Sequence, residues 1–428
     1  MSIPIHPISS ALAVDELVRD DSVHGSMYTD PEIFKQEMRR IFGNTWVWVA
    51  HESEIPDAGS YKTSYVGDQP VIVTRDRKGE VHVMLNRCRH RGATVCEGRK
   101  GNTRSFVCPY HGWSYALDGE LRAIPYPESY GGCLDKRELS LVHLRVEQYA
   151  GMIFATFRED LEPLVDFLGA ARKWMDLFMK QGGGYPVKVA GEHRFTFDGN
   201  WKIQLENTTD AYHFPLVHKS FLSSVDEQTL RTFDFVQGDG FVEDLGNGHS
   251  VMVMIPSLVD LEDNLDEPIP DRFAELADEL RGRYDEQQVR RIVRAVGGSG
   301  FNLNLFPNVA CSMAFLRVLR PLAVDRTEIH HVALVMDGGP EEANQARLRL
   351  HEFFQGPMGF GTPDDAEAWT RVQKGAAAGA QDFEHDPRIL VNRGLAGEKV
   401  TADGRASDVS AETGMRAAYM QWKKMMRD

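Results

Sequence analysis

The sequence predicts an α+β protein, with a small all-β unit inserted near the N-terminus of a larger domain of antiparallel sheet and helices. Three observations carry that expectation. From Trp46 to about Phe157 the chain is written in short alternating apolar runs broken by turn residues, the pattern of half-buried strands. Beyond Leu161, segments with helical spacing are interleaved with stretches that alternate like strands of an antiparallel sheet half covered by helices. A length of 428 residues gives room for two or three such units.

Residues 30–43 read as an amphipathic helix, with Pro31 in its first turn and Gly43 at its end. Val71-Ile-Val-Thr-Arg and Glu80-Val-His-Val-Met-Leu flank Asp-Arg-Lys-Gly and predict a hairpin. Leu161–Lys180 is helical in spacing, and Gly182-Gly-Gly is a loop or hinge. Strands are expected at Phe195-Thr-Phe-Asp, from Leu230 to Val242, at Val251-Met-Val-Met-Ile, and as a long pair between Ala310 and Met336. Helices are expected at 271–296, 340–355, 365–378 and 411–426, with an exposed loop from Asp260 to Asp271. The expected divisions are a helical segment 1–45 packing on the larger domain, the β-unit 46–157, and the larger domain 158–428.

A net charge of -15 argues against a surface that coats nucleic acid or an anionic membrane. The first residues lack the basic and apolar regions of a secretory signal, and no run reaches transmembrane length, so a cytoplasmic protein is expected. Five cysteines are too few and too scattered for a disulfide framework. Cys96, Cys133 and Cys311 receive no role.

The other two cysteines recur with histidines. Cys88-Arg-His90 is followed, after seventeen residues, by Cys108-Pro-Tyr-His111-Gly-Trp. Each half offers one thiolate and one imidazole on a tight loop. Four such donors suit a [2Fe–2S] cluster with two Cys on one iron and two His on the other. A Cys2His2 zinc site uses the same donors, although zinc fingers pair like with like before a helix. Arg87, Arg89, Arg91, Arg99, Lys100 and Arg104 crowd the first loop against a single acid, Glu97. That local excess could steer an acidic electron donor, contact a neighbouring subunit, or be a solvated loop.

A second constellation runs from Asn200 to His218, reading Asn-Trp-Lys-Ile-Gln-Leu-Glu-Asn-Thr-Thr-Asp-Ala-Tyr-His-Phe-Pro-Leu-Val-His. On a helix, Glu206, Asp210 and His213 would share one face. Pro215 interrupts that helix, so His218 is expected from the segment beyond it. Two converging imidazoles leave a metal short of ligands, and a distant carboxylate would complete the 2-His-1-carboxylate triad that suits non-haem Fe(II). The candidate lies in Gly359-Phe-Gly-Thr-Pro-Asp-Asp-Ala-Glu-Ala-Trp. There Thr362 could be an N-cap and Asp365 a capping-box acid, and local sequence does not separate that role from metal ligation.

Together these residues resemble the large, or α, subunits of Rieske non-haem iron aromatic-ring-hydroxylating oxygenases. The likeness runs from Trp46 through both motifs to Asp364-Asp365. It implies a Rieske [2Fe–2S] domain inserted in a helix-grip, START-like catalytic domain. Cys88, His90, Cys108 and His111 would hold the cluster, with the two histidines as its electron exits. His213, His218 and Asp365 would hold Fe(II), with Asp364 as second choice for the carboxylate. Asp210 would bridge a cluster histidine of one subunit to an iron-ligating histidine of the next, in a trimer with or without small β subunits. An aspartate one turn before His213 suits that task, because it can accept the free ring N–H.

The resemblance also implies electrons from NADH, passed by a flavin reductase with or without a ferredoxin, and O2 as co-substrate. The product would be a cis-dihydrodiol or a phenol. A carboxylated monocyclic arene is the expected substrate, although no arginine or lysine is singled out as its partner. Asn207, Phe214, Phe221, Leu222, Leu303 and Leu305 are expected around the substrate, against the alternative of ordinary core. Two other functions fit parts of the pattern: a Rieske electron-transfer or ligand-sensing protein without turnover, and a zinc-stabilised binding protein.

Overall fold

A computed structural model describes residues 14–131, 134–225, 227, 230, 238–378 and 387–427. Cys133 lies outside these residues.

The N-terminal helix begins at Pro31, where the Asp30 carboxylate accepts the backbone N–H of Glu32 at 2.7 Å. Its last turn widens into a π-helix over Met38–Phe42 before Gly43. The reason for its position lies in Glu37, which is fully buried. That carboxylate accepts from Lys202 Nζ at 2.6 Å, Trp422 Nε1 at 2.7 Å and Trp201 Nε1 at 2.9 Å. A buried charge paired in this way fixes the segment against the helix that starts the second motif.

Seven strands follow in one sheet, in the order Val47–His51, Met152–Thr156, His143–Tyr149, Val81–Leu85, Gln69–Arg75, Ser60–Val66, Lys100–Asn102. The expected hairpin is present, with Val73 opposite Val83. Three short strands, Phe106–Val107, Ser114–Tyr115 and Leu121–Ala123, form a separate small sheet. Two loops, one after Leu85 and one joining Val107 to Ser114, carry the cysteine–histidine pairs.

The larger part is built on a nine-stranded antiparallel sheet. At one edge Val187–Phe197 (β1) pairs with the last long strand, and helices Trp201–Thr208 (α1) and Phe214–Val217 (α2) come next in the chain. The centre is a meander of Phe301–Leu305 (β2), Val309–Ser312 (β3), Phe315–Ala323 (β4) and Arg326–Met336 (β5). The expected long pair is therefore three strands, because the chain turns again at Met313, whose φ is 47°. Glu341–Gln355 (α3), Thr362–Ala378 (α4) and Thr413–Arg427 (α5) follow close to their expected places. The helix expected over 271–296 is two, Ala274–Arg281 and Glu286–Gly297. The strand expected from Leu230 begins only at Phe241, and 231–237 lie outside the described residues.

The faces of β2 decide what can reach the site. Asn302 and Asn304 donate to the backbone oxygens of Thr208 and Leu205, both at 3.1 Å, and so face α1. Phe301, Leu303 and Leu305 point the other way, into a core with Trp174 and Phe178 of helix Ala171–Lys180 and with Trp46 and Trp48. Leu303 and Leu305 are therefore core, not substrate-facing, since strand alternation gave the α1 side to the asparagines. Asn308 accepts from Trp48 N and donates to Trp48 O, each at 3.0 Å, and so joins the first strand of the β-unit to this sheet. Among the described residues no helix is long and apolar enough to cross a membrane.

Candidate active site

The two cysteine–histidine loops are built alike. Cys88 N donates to Ala93 O at 2.7 Å and Gly92 N to Cys88 O at 2.9 Å. Cys108 N donates to Trp113 O at 2.8 Å and Gly112 N to Cys108 O at 3.0 Å. Each turn closes through a glycine with positive φ, 77° at Gly92 and 72° at Gly112, where a side chain would be strained.

The loops face each other. Cys88 and Cys108 are both buried and in contact, and burial pushes the Cys108 thiol up. The His90 and His111 rings lie 4.5 Å apart, with His90 stacked on Trp113 at 4.9 Å. His90 Nδ1 is buried without a partner. Two inward thiols, one orphaned imidazole nitrogen and a second imidazole nearer the solvent fit a cluster with cysteines inside and histidines outside. The Tyr115 hydroxyl sits 3.2 Å from Cys88 Sγ, where a hydrogen bond to sulfur would tune a potential. Arg87, Arg89, Arg91, Arg99, Lys100 and Arg104 are all exposed around this end.

The second motif is not one continuous helix. α1 stops at Thr208, where the hydroxyls of Thr208 and Thr209 turn back to Gln204 O at 3.2 Å and Glu206 O at 3.0 Å. Asp210 Oδ1 then accepts the backbone N–H groups of Tyr212 at 2.6 Å and His213 at 3.3 Å, an aspartate turn that delivers His213. Pro215 sits in the first turn of α2, and His218 follows its end. Glu206 consequently does not share a face with Asp210 and His213. It accepts from Tyr28 Oη at 2.7 Å and from Tyr419 Oη, and burial pushes its carboxyl up to about 7.

His213, His218 and Asp365 converge, with one donor atom of each within 4.8 Å of the others. Asp365 Oδ1 lies 3.2 Å from His218 Nε2 and 3.5 Å from His213 Nε2. Asp364 is more exposed, 4.0 Å from His218 Nδ1, and accepts from Ser220 Oγ at 3.3 Å. Of the two aspartates, Asp365 is the one whose oxygen meets both imidazoles. Thr362 does not act as the expected cap, because its hydroxyl donates to Gln355 O at 2.9 Å.

The electrostatics are those of a cation site. Burial opposes charge on His213, yet Asp210 and Asp365 push its ring up to about 9. Burial also opposes charge on Asp365, but the two imidazoles hold its carboxyl well below the usual range. The donor set fits non-haem iron with open positions. Asp210 Oδ2 lies 3.3 Å from His213 Nδ1, on the side away from Asp365, and its side chain is 22% exposed. Asn207 Nδ2 is 3.2 Å from both His213 Nε2 and Asp365 Oδ1.

A cavity of about 430 Å³ is lined by Phe221, Met254, Leu258, Met313, Phe353 and Phe354 among others, and the triad residues are not in its lining. The Phe354 ring is 5.2 Å from His218 and 4.6 Å from Phe221. Of the expected pocket residues, Phe221 lines the cavity. Phe214 packs on His218 at 5.0 Å instead, Asn207 touches the triad, and Leu222 lies beside Phe221 without lining the cavity.

Residues 45–149 match the Rieske [2Fe-2S] domain family, and 186–428 match the ring hydroxylating alpha subunit (catalytic domain) family. The alpha subunit of toluate 1,2-dioxygenase from Pseudomonas putida is 34% identical over 395 residues, 86% of this chain and 83% of that protein. The chain belongs to the Rieske ring-hydroxylating oxygenase alpha subunits.

The large subunit of anthranilate 1,2-dioxygenase from Acinetobacter baylyi is 35% identical over 370 residues, 82% of this chain and 76% of that protein. A naphthalene 1,2-dioxygenase with indole bound in its active site superimposes with a TM-score of 0.80 at 27% identity, covering 96% of this chain and 94% of that one. This alpha subunit is accordingly an enzyme with a Rieske cluster, a mononuclear iron and O2 as co-substrate, and it works with separate electron-donating partners. The zinc-site reading falls with the Rieske match. The structural residues that sequence reasoning missed are Tyr115, beside Cys88, and the aromatic wall Phe353 and Phe354, whose sequence signal was only apolar residues at the end of a helix.

Proposed function

We propose that this alpha subunit is the terminal oxygenase of a system that hydroxylates a carboxylated monocyclic arene in the cytoplasm. Cys88, His90, Cys108 and His111 hold the cluster; His213, His218 and Asp365 hold the iron. The division is an N-terminal segment 1–45, a Rieske domain 46–157 and a catalytic domain 158–428. The carrying observation is the convergence of two imidazole nitrogens and one carboxylate oxygen, with Phe354 of the cavity wall 5.2 Å from His218. Toluate and anthranilate are both substituted benzoates, which supports the substrate class.

When bound, the iron supplies dioxygen activation and the cluster supplies single electrons. The chain's own residues do the rest. Asp210 Oδ2, 3.3 Å from His213 Nδ1, is placed to orient the ring with Nε2 toward the metal position. Phe221 and Phe354 offer flat faces to an arene and keep water from the triad. Exposed His111 and half-buried His90 put the cluster's electron exit at the surface. Asp210 is reachable there by a second copy, flanked by Tyr212 at 49% and Leu216 at 75% exposure. This supports electron transfer between subunits of an α trimer, with or without small β subunits, fed by a flavin reductase with or without a ferredoxin.

The test is product analysis over an aromatic panel with a surrogate reductase and 18O2. Labelled cis-dihydrodiols or phenols are expected from benzoate-type substrates ahead of neutral or polycyclic arenes. No label in any product would overturn the proposal.

A further inference from the structure

Three guanidiniums lie on the wall of the cavity, those of Arg272, Arg290 and Arg294, among side chains that are mostly apolar. They are not equivalent. Arg290 Nη1 donates to Leu265 O at 3.0 Å and to Glu267 O at 2.7 Å, and its Nε pairs with Glu286 at 3.1 Å, so it holds the wall together. The Arg272 guanidinium lies over the Phe273 ring at 4.9 Å. Arg294 differs from both. Its Nη2 donates to Ser257 O, its Nε is buried without a partner, and among the described residues Nη1 has no acceptor.

The helix Glu286–Gly297 explains the placement. Val289, Ile292, Val293 and Val296 turn its apolar face into the core, and Arg290 and Arg294, four residues apart, share the face beside it. Carboxylates lie within electrostatic reach of Arg294 but do not meet it. Burial lowers its pKa, and Glu267, Asp263, Asp260 and Glu262 oppose that shift. Two of these acids are already engaged, Asp260 with Lys180 at 2.9 Å and Glu262 with Arg291 at 2.9 Å. Among the described residues no carboxylate forms an ion pair with Arg294.

A half-buried guanidinium whose donors are left unfilled is costly. It has five N–H groups, and Ser257 O takes one. The same cavity is walled by Phe221 and Phe354, and the Phe354 ring packs on His218 of the triad at 5.2 Å. One continuous space therefore joins an aromatic wall in contact with a triad residue to an arginine with donors to spare. A flat ring bearing a carboxylate matches both features, since the aromatic side chains take the ring and the guanidinium fork takes the two oxygens.

We propose that Arg294 receives the carboxylate of an aromatic acid in this cavity and is a specificity-determining residue for the reaction. This rests on the reading of the chain as an oxygenase of carboxylated arenes and adds a residue to it. A bidentate charged pair gives orientation as well as affinity, so the contact also sets which edge of the ring is turned toward Phe354. Glu267 lines the same cavity and carries the opposite charge. It disfavours an anion elsewhere along that wall, which sharpens the preference for Arg294.

The experiment measures equilibrium binding of benzoate and of its neutral counterpart benzamide to the iron-loaded holoenzyme, without turnover. Wild-type protein is expected to favour benzoate by about tenfold or more, and Arg294→Gln to weaken benzoate about 30-fold while moving benzamide less than about threefold. Arg294→Lys should fall between. Arg272→Gln should weaken benzoate less than about threefold, and Glu267→Gln should leave it as tight or tighter. A purely structural role for Arg294, through its bond to Ser257, would weaken both ligands alike. The proposal is overturned by that result, by a wild type that does not favour benzoate, or by a selective loss in Arg272→Gln instead. If Arg294→Gln fails to fold, Arg294→Met, which keeps the apolar stem, carries the same test. Absence of 18O in every product of the wild type would sink the oxygenase reading instead, a distinct outcome.

Discussion

The cysteine–histidine loops and the His213–His218–Asp365 triad both gather metal donors, but by opposite means. In the loops each thiol and imidazole comes from one short turn, closed by its own backbone hydrogen bonds and one glycine of positive φ. The triad's carboxylate instead arrives from far along the chain; Asn207 and Asp365, in contact at 3.2 Å, are 158 positions apart. The loops are thus local structures that the β-sheets merely bring face to face. The triad exists only when α1, α2 and α4 are packed, so its geometry depends on the whole catalytic core.

The largest expected effect attacks the long-range half. Asp365→Ala removes the buried carboxylate, whereas Asp364→Ala removes a more exposed neighbour bonded to Ser220. Metal analysis should show mononuclear iron lost only in the first, with the cluster absorption unchanged, and turnover lowered by on the order of 10³-fold or more. Equal iron loss in both variants would mean that the aspartate register is wrong.

Asp210→Asn comes next, because the proposed electron bridge between the two halves runs through Asp210. Both metal centres should stay populated. With substrate and O2 present, reoxidation of a pre-reduced cluster should slow by about 100-fold or more. Normal product formation would refute the bridging role and leave Asp210 as an ordinary turn residue.

The same contrast explains what could be read from sequence. Spacing within a single loop is enough to single out Cys88, His90, Cys108 and His111 as candidate metal donors, since local turns leave local signatures. His213 and His218 were visible for the same reason. Glu206 was misplaced because helical periodicity assumes that the helix continues, and the side-chain bonds of Thr208 and Thr209 end it. Leu303 and Leu305 were misplaced because alternation reveals two faces of a strand without saying which neighbour each will meet.

The smallest expected effect tests the local half. Gly112→Ala puts a methyl group at a φ of 72°, and its Cβ would meet Pro125 Cγ at 3.1 Å. Left-handed backbone costs an L-residue about 1–2 kcal/mol, and proline can give by a few tenths of an ångström. The loop's closing bond from Gly112 N to Cys108 O uses backbone alone and should survive the substitution. The apparent melting temperature should therefore fall by about 1–3 °C, while the cluster still assembles with its Rieske absorption and mononuclear iron is untouched. Loss of mononuclear iron in this variant would show that the β-unit supports the triad through the Asn308–Trp48 contact, and that the two sites are not built independently.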